Sequence, residues 1–178
     1  MAGTSERLGV EKEALIAALI DLEHHVGTTG WDQPPRMFAL VRTELLLATE
    51  PELAAGLGLQ VTADAALTAV EQETLSVGSD VVADLAEIEW PEAVFGCALS
   101  LERTFLPAAY EADLPTDPEQ AADVVVAHPE RQEIRVVVGV DRLGNRHGVA
   151  RLVSQPDELL AAEDLVPGLA AALAHTLE

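Results

Sequence analysis

The feature that most constrains the fold is a pair of alternating segments joined by a short turn. Residues 131–141 and 145–154 alternate in side-chain polarity, and Arg142-Leu143-Gly144 between them holds the glycine that a tight turn favours. The pattern predicts a β-hairpin in which Arg135 lies directly opposite Arg151. One face of this hairpin is then apolar, and the face that carries Arg135, Arg151 and His147 is half polar.

Other segments predict helices and further strands around this hairpin. Apolar residues recur at helical spacing from Val10 to Val26, which predicts a surface helix. Proline pairs and Trp-Pro junctions then introduce two extended segments, an inner strand over 36–43 and a longer strand after Trp90-Pro91 that places Cys97 on its apolar face. The remaining predictions are short helical turns over 45–55, an ambiguous stretch over 67–75 that can include a strand, a helix from a Ser79 cap through Ile88, a helix over Pro118–Ala127, and helix from Pro156 to the end with a second start near Pro167.

This order of elements predicts an α+β fold. Helices separate most of the strands, and the only tight connection is the late hairpin, so a mostly antiparallel sheet with N-terminal and C-terminal helices packed on it is the natural arrangement. No internal repeat or long linker divides the 178 residues. We therefore expect a single domain over residues 1–178.

The charge of the chain is strongly negative but unevenly distributed. It carries 31 Asp and Glu against 10 Lys and Arg, a formal net charge of −21, while residues 131–151 hold five arginines and only two acids. A negative surface repels nucleic-acid backbones and anionic membranes, so neither is expected as a partner. A single cysteine and the absence of a secretory signal or an apolar run of spanning length favour a cytoplasmic protein.

The facing arginines of the hairpin are the main candidate for a binding site. A like-charge pair directly opposite across two strands is unfavourable unless an anion lies beside it. That anion is either an acidic side chain of the chain itself or a carboxylate or phosphate ligand held by Arg135 and Arg151, with Arg131 and His147 assisting. Both alternatives follow from the sequence.

The common signatures of catalysis and metal binding do not occur in the sequence. It has no GxSxG, GxGxxG, P-loop, HExxH or CxxC motif, and His24 and His25 are adjacent, so they point in different directions on a helix. Cys97 is expected to be a buried small side chain rather than a nucleophile. We therefore expect no catalytic residue, no metal and no cofactor.

Trp31 and Trp90 each precede a strand beside proline. They either close the edges of a core built from small residues or form an exposed contact patch for another protein. Both remain candidates for protein contact.

Three segments together resemble a family of uncharacterised actinobacterial proteins. They are residues 31–41, which begin Trp-Asp-Gln-Pro-Pro, residues 90–99, which begin Trp-Pro-Glu-Ala-Val, and the arginine-bearing hairpin. The resemblance covers most of the chain and implies an actinobacterial cytoplasmic origin and an α+β fold. It implies no activity, so no catalytic residue is carried over.

We expect a non-enzymatic cytoplasmic protein that binds another protein through its acidic surface, with a homodimer as one form of this. One alternative is a sensor or enzyme for an anionic small molecule that uses the Arg135, Arg151 and His147 face. The other is an acidic chaperone or immunity-type protein that covers a basic client.

Overall fold

The centre of the fold is a six-stranded antiparallel sheet. The structure, a computed structural model, describes residues 2–56, 66–72, 81–163, 165 and 167–178. The strands are β1 (Arg36–Arg42), β2 (Leu67–Glu71), β3 (Gly96–Phe105), β4 (Gln132–Asp141), β5 (Arg146–Leu152) and β6 (Gln155–Ala162). Across the sheet they follow the order β2-β1-β3-β4-β5-β6, so β2 and β6 are the edges.

Helices cover both faces of this sheet. They are α1 (Ala2–Gly27), α2 (Thr43–Thr49), α3 (Pro51–Gly56), α4 (Val81–Leu85), α5 (Ala108–Glu111), α6 (Pro118–Ala127) and α7 (Pro167–His175). Helix α1 lies on one face and α7 on the other. The predicted α+β class, with an antiparallel sheet and helices at both ends of the chain, is confirmed.

The core beneath α1 follows from the helical spacing of its apolar residues. Leu15, Leu19, Leu22 and Val26 lie one turn apart along the side of the helix that meets the sheet. Strand residues pack against them from the same face of the sheet: Phe38, Leu40, Ala98, Val137 and Val149. This packing seats α1 directly over the hairpin formed by β4 and β5.

The second core lies on the opposite face, beneath α7. Leu169 and Leu173 of the helix and Leu177 after it are buried there. The strand residues in this core alternate with those under α1: Met37, Ala39, Val41, Cys97, Leu99, Leu101, Val136, Val138, Val140 and Ala150. The two-residue periodicity of the strands therefore builds two separate cores from one sheet.

The hairpin has the register predicted from the sequence. Arg135 pairs with Arg151, and Ile134 with Leu152. The turn residues are 142–144, where Gly144 adopts a positive φ of 87° that favours glycine. Asp141 Oδ1 accepts the backbone N–H groups of Leu143 and Asn145 at 2.9 and 3.0 Å, which fixes the turn.

Several predicted helices and strands are also confirmed. The helix Pro118–Ala127 has the predicted bounds, and Asp117 Oδ1 caps it by accepting the N–H of Glu119 at 3.0 Å. The ambiguous stretch contains β2, and the predicted surface helix lies within the longer α1. Ser79, the predicted cap of the next helix, lies outside the described residues; the described part of that helix is α4.

The prediction of helix directly after Pro156 was wrong. Residues Gln155–Ala162 form β6, which pairs antiparallel with β5. Glu, Leu and Ala favour helix, but the turn after Leu152 returns the chain along the open edge of β5, whose backbone groups supply hydrogen bonds. Tertiary pairing therefore overrides local propensity here.

No helix within the described ranges combines the length and the apolar composition needed to cross a bilayer.

Candidate functional site

The counter-ion of the facing arginines is Glu23 of α1. Arg151 donates to both carboxylate oxygens, from Nε at 2.7 Å and from Nη2 at 2.9 Å. Arg135 Nη1 lies 3.6 Å from Glu23 Oε1, so one carboxylate serves both guanidinium groups. A carboxylate with both oxygens engaged by the fork of an arginine is the strong form of this interaction. The chain thus supplies an acid at the position where the sequence required an anion.

Two members of this cluster are buried almost completely, and Arg151 is 17% exposed. The side chains of Glu23 and Arg135 are 1% and 2% exposed. Burial alone would raise the pKa of Glu23, but the hydrogen bond and charge of Arg151 and the charge of Arg135 lower it below its ordinary value. The carboxylate is therefore held charged beneath α1.

The loop that contains Trp31 closes the cluster from outside. Arg135 donates from Nη2 to the carbonyl oxygen of Gly30, and its guanidinium lies 4.4 Å from the centre of the Trp31 ring. Glu102, the neighbour of Arg135 on β3, accepts the N–H groups of Asp32 and Gln33 at 2.8 and 2.9 Å. The Trp-Asp-Gln-Pro-Pro segment is thus tied down onto the buried arginine.

Sequence reasoning did not identify Glu23. The signal was present, because Glu23 lies four residues after Leu19 and three before Val26, within the apolar stripe of α1. A carboxylate in such a stripe is directed into the protein, where it needs a cation. Glu11, four residues before Leu15, follows the same rule: it is buried, and Arg42 Nη2 lies 3.2 Å from its Oε1.

The other two residues of the predicted anion site lie apart from this cluster. His147 is on the same face of β5 as Arg151, but four residues along the strand correspond to roughly 13 Å. Arg131 precedes β4 and is exposed, with Nη1 donating to the carbonyl oxygen of His128 at 3.1 Å. The structure brings together only Arg135 and Arg151 of the four predicted residues.

His147 occupies a buried position beneath the first half of α1. Both ring nitrogens are buried and have no hydrogen-bond partner among the described residues. Burial lowers the pKa of His147, and the charge of nearby Lys12 lowers it further. The imidazole is therefore neutral at pH 7.

Arg142, at the turn of the hairpin, also donates its hydrogen bonds to groups of the protein itself. Its Nε donates to the carbonyl oxygen of Val94 at 2.8 Å, and its Nη1 donates to that of Leu177. Its Nη2 donates to the carbonyl oxygen of Pro91 at 3.0 Å. The guanidinium joins the turn to the segment before β3 and to the residues after α7.

Trp90 and Cys97 belong to the core under α7. Trp90 Nε1 donates to Thr176 Oγ1 at 3.0 Å, on the face of the sheet opposite to Trp31. The two tryptophans are half-buried and do not form one shared patch.

Cys97 is buried as predicted, and this burial raises the pKa of its thiol to about 11. Among the described residues, no three His, Cys, Asp or Glu side chains are placed to hold a metal ion.

A second region with functional character is residues 107–130, which we call the acidic connection; they make up the segment between β3 and β4 apart from Leu106 and Arg131 at its two ends. It holds six acids and neither lysine nor arginine: Glu111, Asp113, Asp117, Glu119, Asp123 and Glu130. Within it, α6 has no buried residue along its ten positions. The acidic connection is therefore a largely exposed and strongly negative part of the chain.

Apolar side chains accompany these acids on the surface. Val126 is 64% exposed, Val124 is 39% exposed, and Tyr110 of α5 is also exposed. The ring of Tyr110 lies 5.0 Å from that of His128, which joins α5 to the end of α6. Exposed apolar groups surrounded by charge are typical of surfaces that bind other proteins.

Comparison with known proteins gives one family. The family model described as PPA1309-like protein matches residues 15–178, from within α1 to the end of the chain. No curated protein and no solved structure matches the chain.

Proposed function

The chain belongs to the family of PPA1309-like proteins, and we propose that this member acts by binding a basic protein partner on its acidic connection. The observation that carries the proposal is α6, a ten-residue helix in which no residue is fully buried and only Ala121 and Val125 are half-buried. Helices in proteins gain most of their stability from packing an apolar face. A helix with so little packing against its own chain is suited to gaining more from a partner.

The charge of this surface indicates the chemistry of the partner. Six acids without a lysine or arginine between residues 107 and 130 give a local field that attracts positive charge. The exposed Val124 and Val126 supply an apolar centre, and the acids supply a rim. A partner with lysines or arginines around an apolar contact complements both properties.

The acidity of this surface also distinguishes between the alternative functions. Two copies of this chain would bring two acidic surfaces together, which disfavours a homodimer through α6. An anionic ligand at Arg135 and Arg151 has less support, because Glu23 already lies between the two guanidinium groups. An acidic chaperone or immunity-type protein is a special case of the proposal in which the basic partner is its client.

The proposal places the protein in the cytoplasm of an actinobacterium. One cysteine, which is free and buried, suits a reducing compartment. The resemblance of residues 31–41 and 90–99 to actinobacterial sequences supports this origin.

The proposal is tested by capture followed by reconstitution. The immobilised chain is exposed at low salt to a lysate of its source cells, and each retained protein is purified and titrated against the chain. We expect a basic protein whose affinity falls at least tenfold between 50 and 300 mM salt. The double variant Val124→Ser, Val126→Ser should weaken this binding at least tenfold.

Two matched controls locate the contact. Leu143→Ser removes an apolar side chain that is also exposed, on the turn of the hairpin, and Asp157→Asn with Glu158→Gln removes two exposed acids of β6. Both controls should bind the partner as the parent chain does. Equal loss in variants and controls, or a partner that is acidic or insensitive to salt, would contradict the proposal.

A further inference from the structure

A cavity of about 420 Å³ lies between α1 and the edge strand β2, away from the acidic connection. Among the described residues, α1 is seated over the hairpin and covers β2 only in part on that face. Leu22, Phe38 and Ala69 are among the apolar residues of its lining. This volume falls within the range of small-molecule sites, of roughly 300–1,000 Å³.

Acidic groups line the same cavity. Asp21 of α1 is exposed and makes no hydrogen bond or ion pair within the described part of the chain. Glu71 of β2 accepts hydrogen bonds from Arg36 Nε at 2.6 Å and Nη2 at 2.9 Å, so its charge is neutralised. His25, one turn after Asp21 on α1, also lines the cavity. When His25 is neutral, the unbalanced charge of the lining is the carboxylate of Asp21.

The ring of Phe38 already carries a cation of the chain itself, so the attraction for a ligand cation comes from Asp21 and from the net charge. The Arg36 guanidinium lies 5.6 Å from the centre of the Phe38 ring, within the range of a cation–π contact. A net charge of −21 on the chain adds a general attraction for cations and a repulsion for anions. Apolar walls beside an unpaired carboxylate suit a molecule with a hydrocarbon body and a positive end.

We propose that this cavity binds a small organic amine, with its hydrocarbon body against Leu22, Phe38 and Ala69 and its ammonium group beside Asp21. The site is separate from the acidic connection, and its occupation does not depend on a protein partner. Neutral and anionic molecules of the same shape cannot form an ion pair with Asp21 and should bind more weakly.

The test compares three probes that share one body: 4-phenylbutylamine, 4-phenylbutan-1-ol and 4-phenylbutyrate. Each is titrated into the full chain with ¹³C-labelled methyl groups, and the signals of Leu22 and Ala69 are followed. We expect the amine to bind at least tenfold more tightly than the butyrate, with the alcohol between them.

Two variants and one control separate the cavity from general attraction to the surface. Asp21→Asn should reduce the advantage of the amine over the alcohol at least fivefold and leave the affinity for the alcohol unchanged. Ala69→Phe, which fills the floor of the cavity, should abolish binding of all three probes while the other methyl signals keep their positions. Glu13→Gln removes an exposed acid elsewhere on α1 and should change nothing.

Absence of methyl shifts with every probe would overturn the proposal. So would equal affinities for the amine and the butyrate, or unchanged affinity for the amine in Asp21→Asn.

Discussion

The buried arginine pair and the acidic connection show opposite treatments of charge. Arg135 and Arg151 come from the most basic part of the sequence, and both are bound to Glu23 inside the protein. The acidic connection has no lysine or arginine, and its helix α6 has no fully buried residue. Arg135 and Arg151, which the sequence marked as the main candidate for a binding site, stabilise the fold instead. The acidic connection, which the sequence did not mark, faces the solvent.

The buried arginine pair and the acidic connection together indicate that a local excess of charge identifies a partner surface only where the fold leaves that charge unpaired. The arginines carry the rarer charge in a chain with 31 acids, and Arg135 and Arg151 share one internal carboxylate, whereas Arg103 and Arg131 are exposed. The acids of the acidic connection have no lysine or arginine within residues 107–130 to neutralise them. The majority charge of a protein is therefore the better guide to its free surface.

The most severe test of this comparison is the removal of the shared counter-ion. Glu23→Ala leaves Arg135 and Arg151 facing each other without an acid, in a site that water scarcely reaches. We expect it to lower the free energy of unfolding by about 3–5 kcal/mol, as measured by urea denaturation. Glu13→Gln, on the exposed side of the same helix, should cost less than about 0.5 kcal/mol.

If Glu23→Ala lowered the free energy of unfolding by less than about 1 kcal/mol, the contrast between the two regions would be contradicted, because the arginine pair would then not depend on an internal acid. Recovery of stability on adding phosphate would show that an external anion can take the same place.

A second prediction concerns the seating of α1 on the hairpin. A Cβ atom at Gly139 would lie 2.5 Å from Leu19 Cδ2, so Gly139→Ala forces the buried Leu19 side chain, or the helix that carries it, to shift. We expect a loss of about 1–3 kcal/mol in unfolding free energy by thermal or urea denaturation. Gly9→Ala in α1 has open space around the new methyl group and should be neutral or stabilising by up to about 1 kcal/mol.

A third prediction uses the buried His147. Its pKa is lowered in the folded chain from the ordinary value of 6.5, so below that pH the unfolded chain binds a proton that the folded chain resists. Stability is therefore complete above pH 6.5 and decreases as the pH falls, by at most about 1.4 kcal/mol per pH unit from this group. His147→Gln should flatten the stability curve between pH 7 and 5.5.

The control for this prediction is His175→Gln, which removes an exposed histidine of α7. A curve that flattens equally in both variants would assign the pH dependence to something other than His147.

The smallest expected effect on stability belongs to the acidic connection. Val126→Ser changes a side chain that is 64% exposed and supports no packing within the fold. We expect a change within about 0.5 kcal/mol in urea denaturation. A loss above 1 kcal/mol would mean that α6 is part of the core, and the contrast with the arginine pair would fail.

Local patterns made much of the fold predictable. The hairpin register followed from alternation and from a glycine at a turn that needs positive φ, and α6 followed from its Asp117 cap and the flanking prolines. Strand β6 was missed because its residues favour helix, and only the open edge of β5 makes it a strand.

The candidate site was predictable only in part, for a related reason. The need for an anion at Arg135 and Arg151 is a local property of the hairpin. The identity of that anion depends on Glu23, which lies 128 residues from Arg151 along the chain. The acidic connection could not be singled out either, because acids are abundant throughout the sequence and exposure is decided by the fold.

The burial of Cys97 has a practical consequence for studying the protein. Because the chain has one thiol, and that thiol lies in the core with a pKa of about 11, reagents that attack thiolates will react with it very slowly. A second cysteine placed at an exposed position such as Val126 would then be modified selectively. Fluorophores, spin labels or photo-crosslinkers can be positioned in this way without first engineering away the native cysteine.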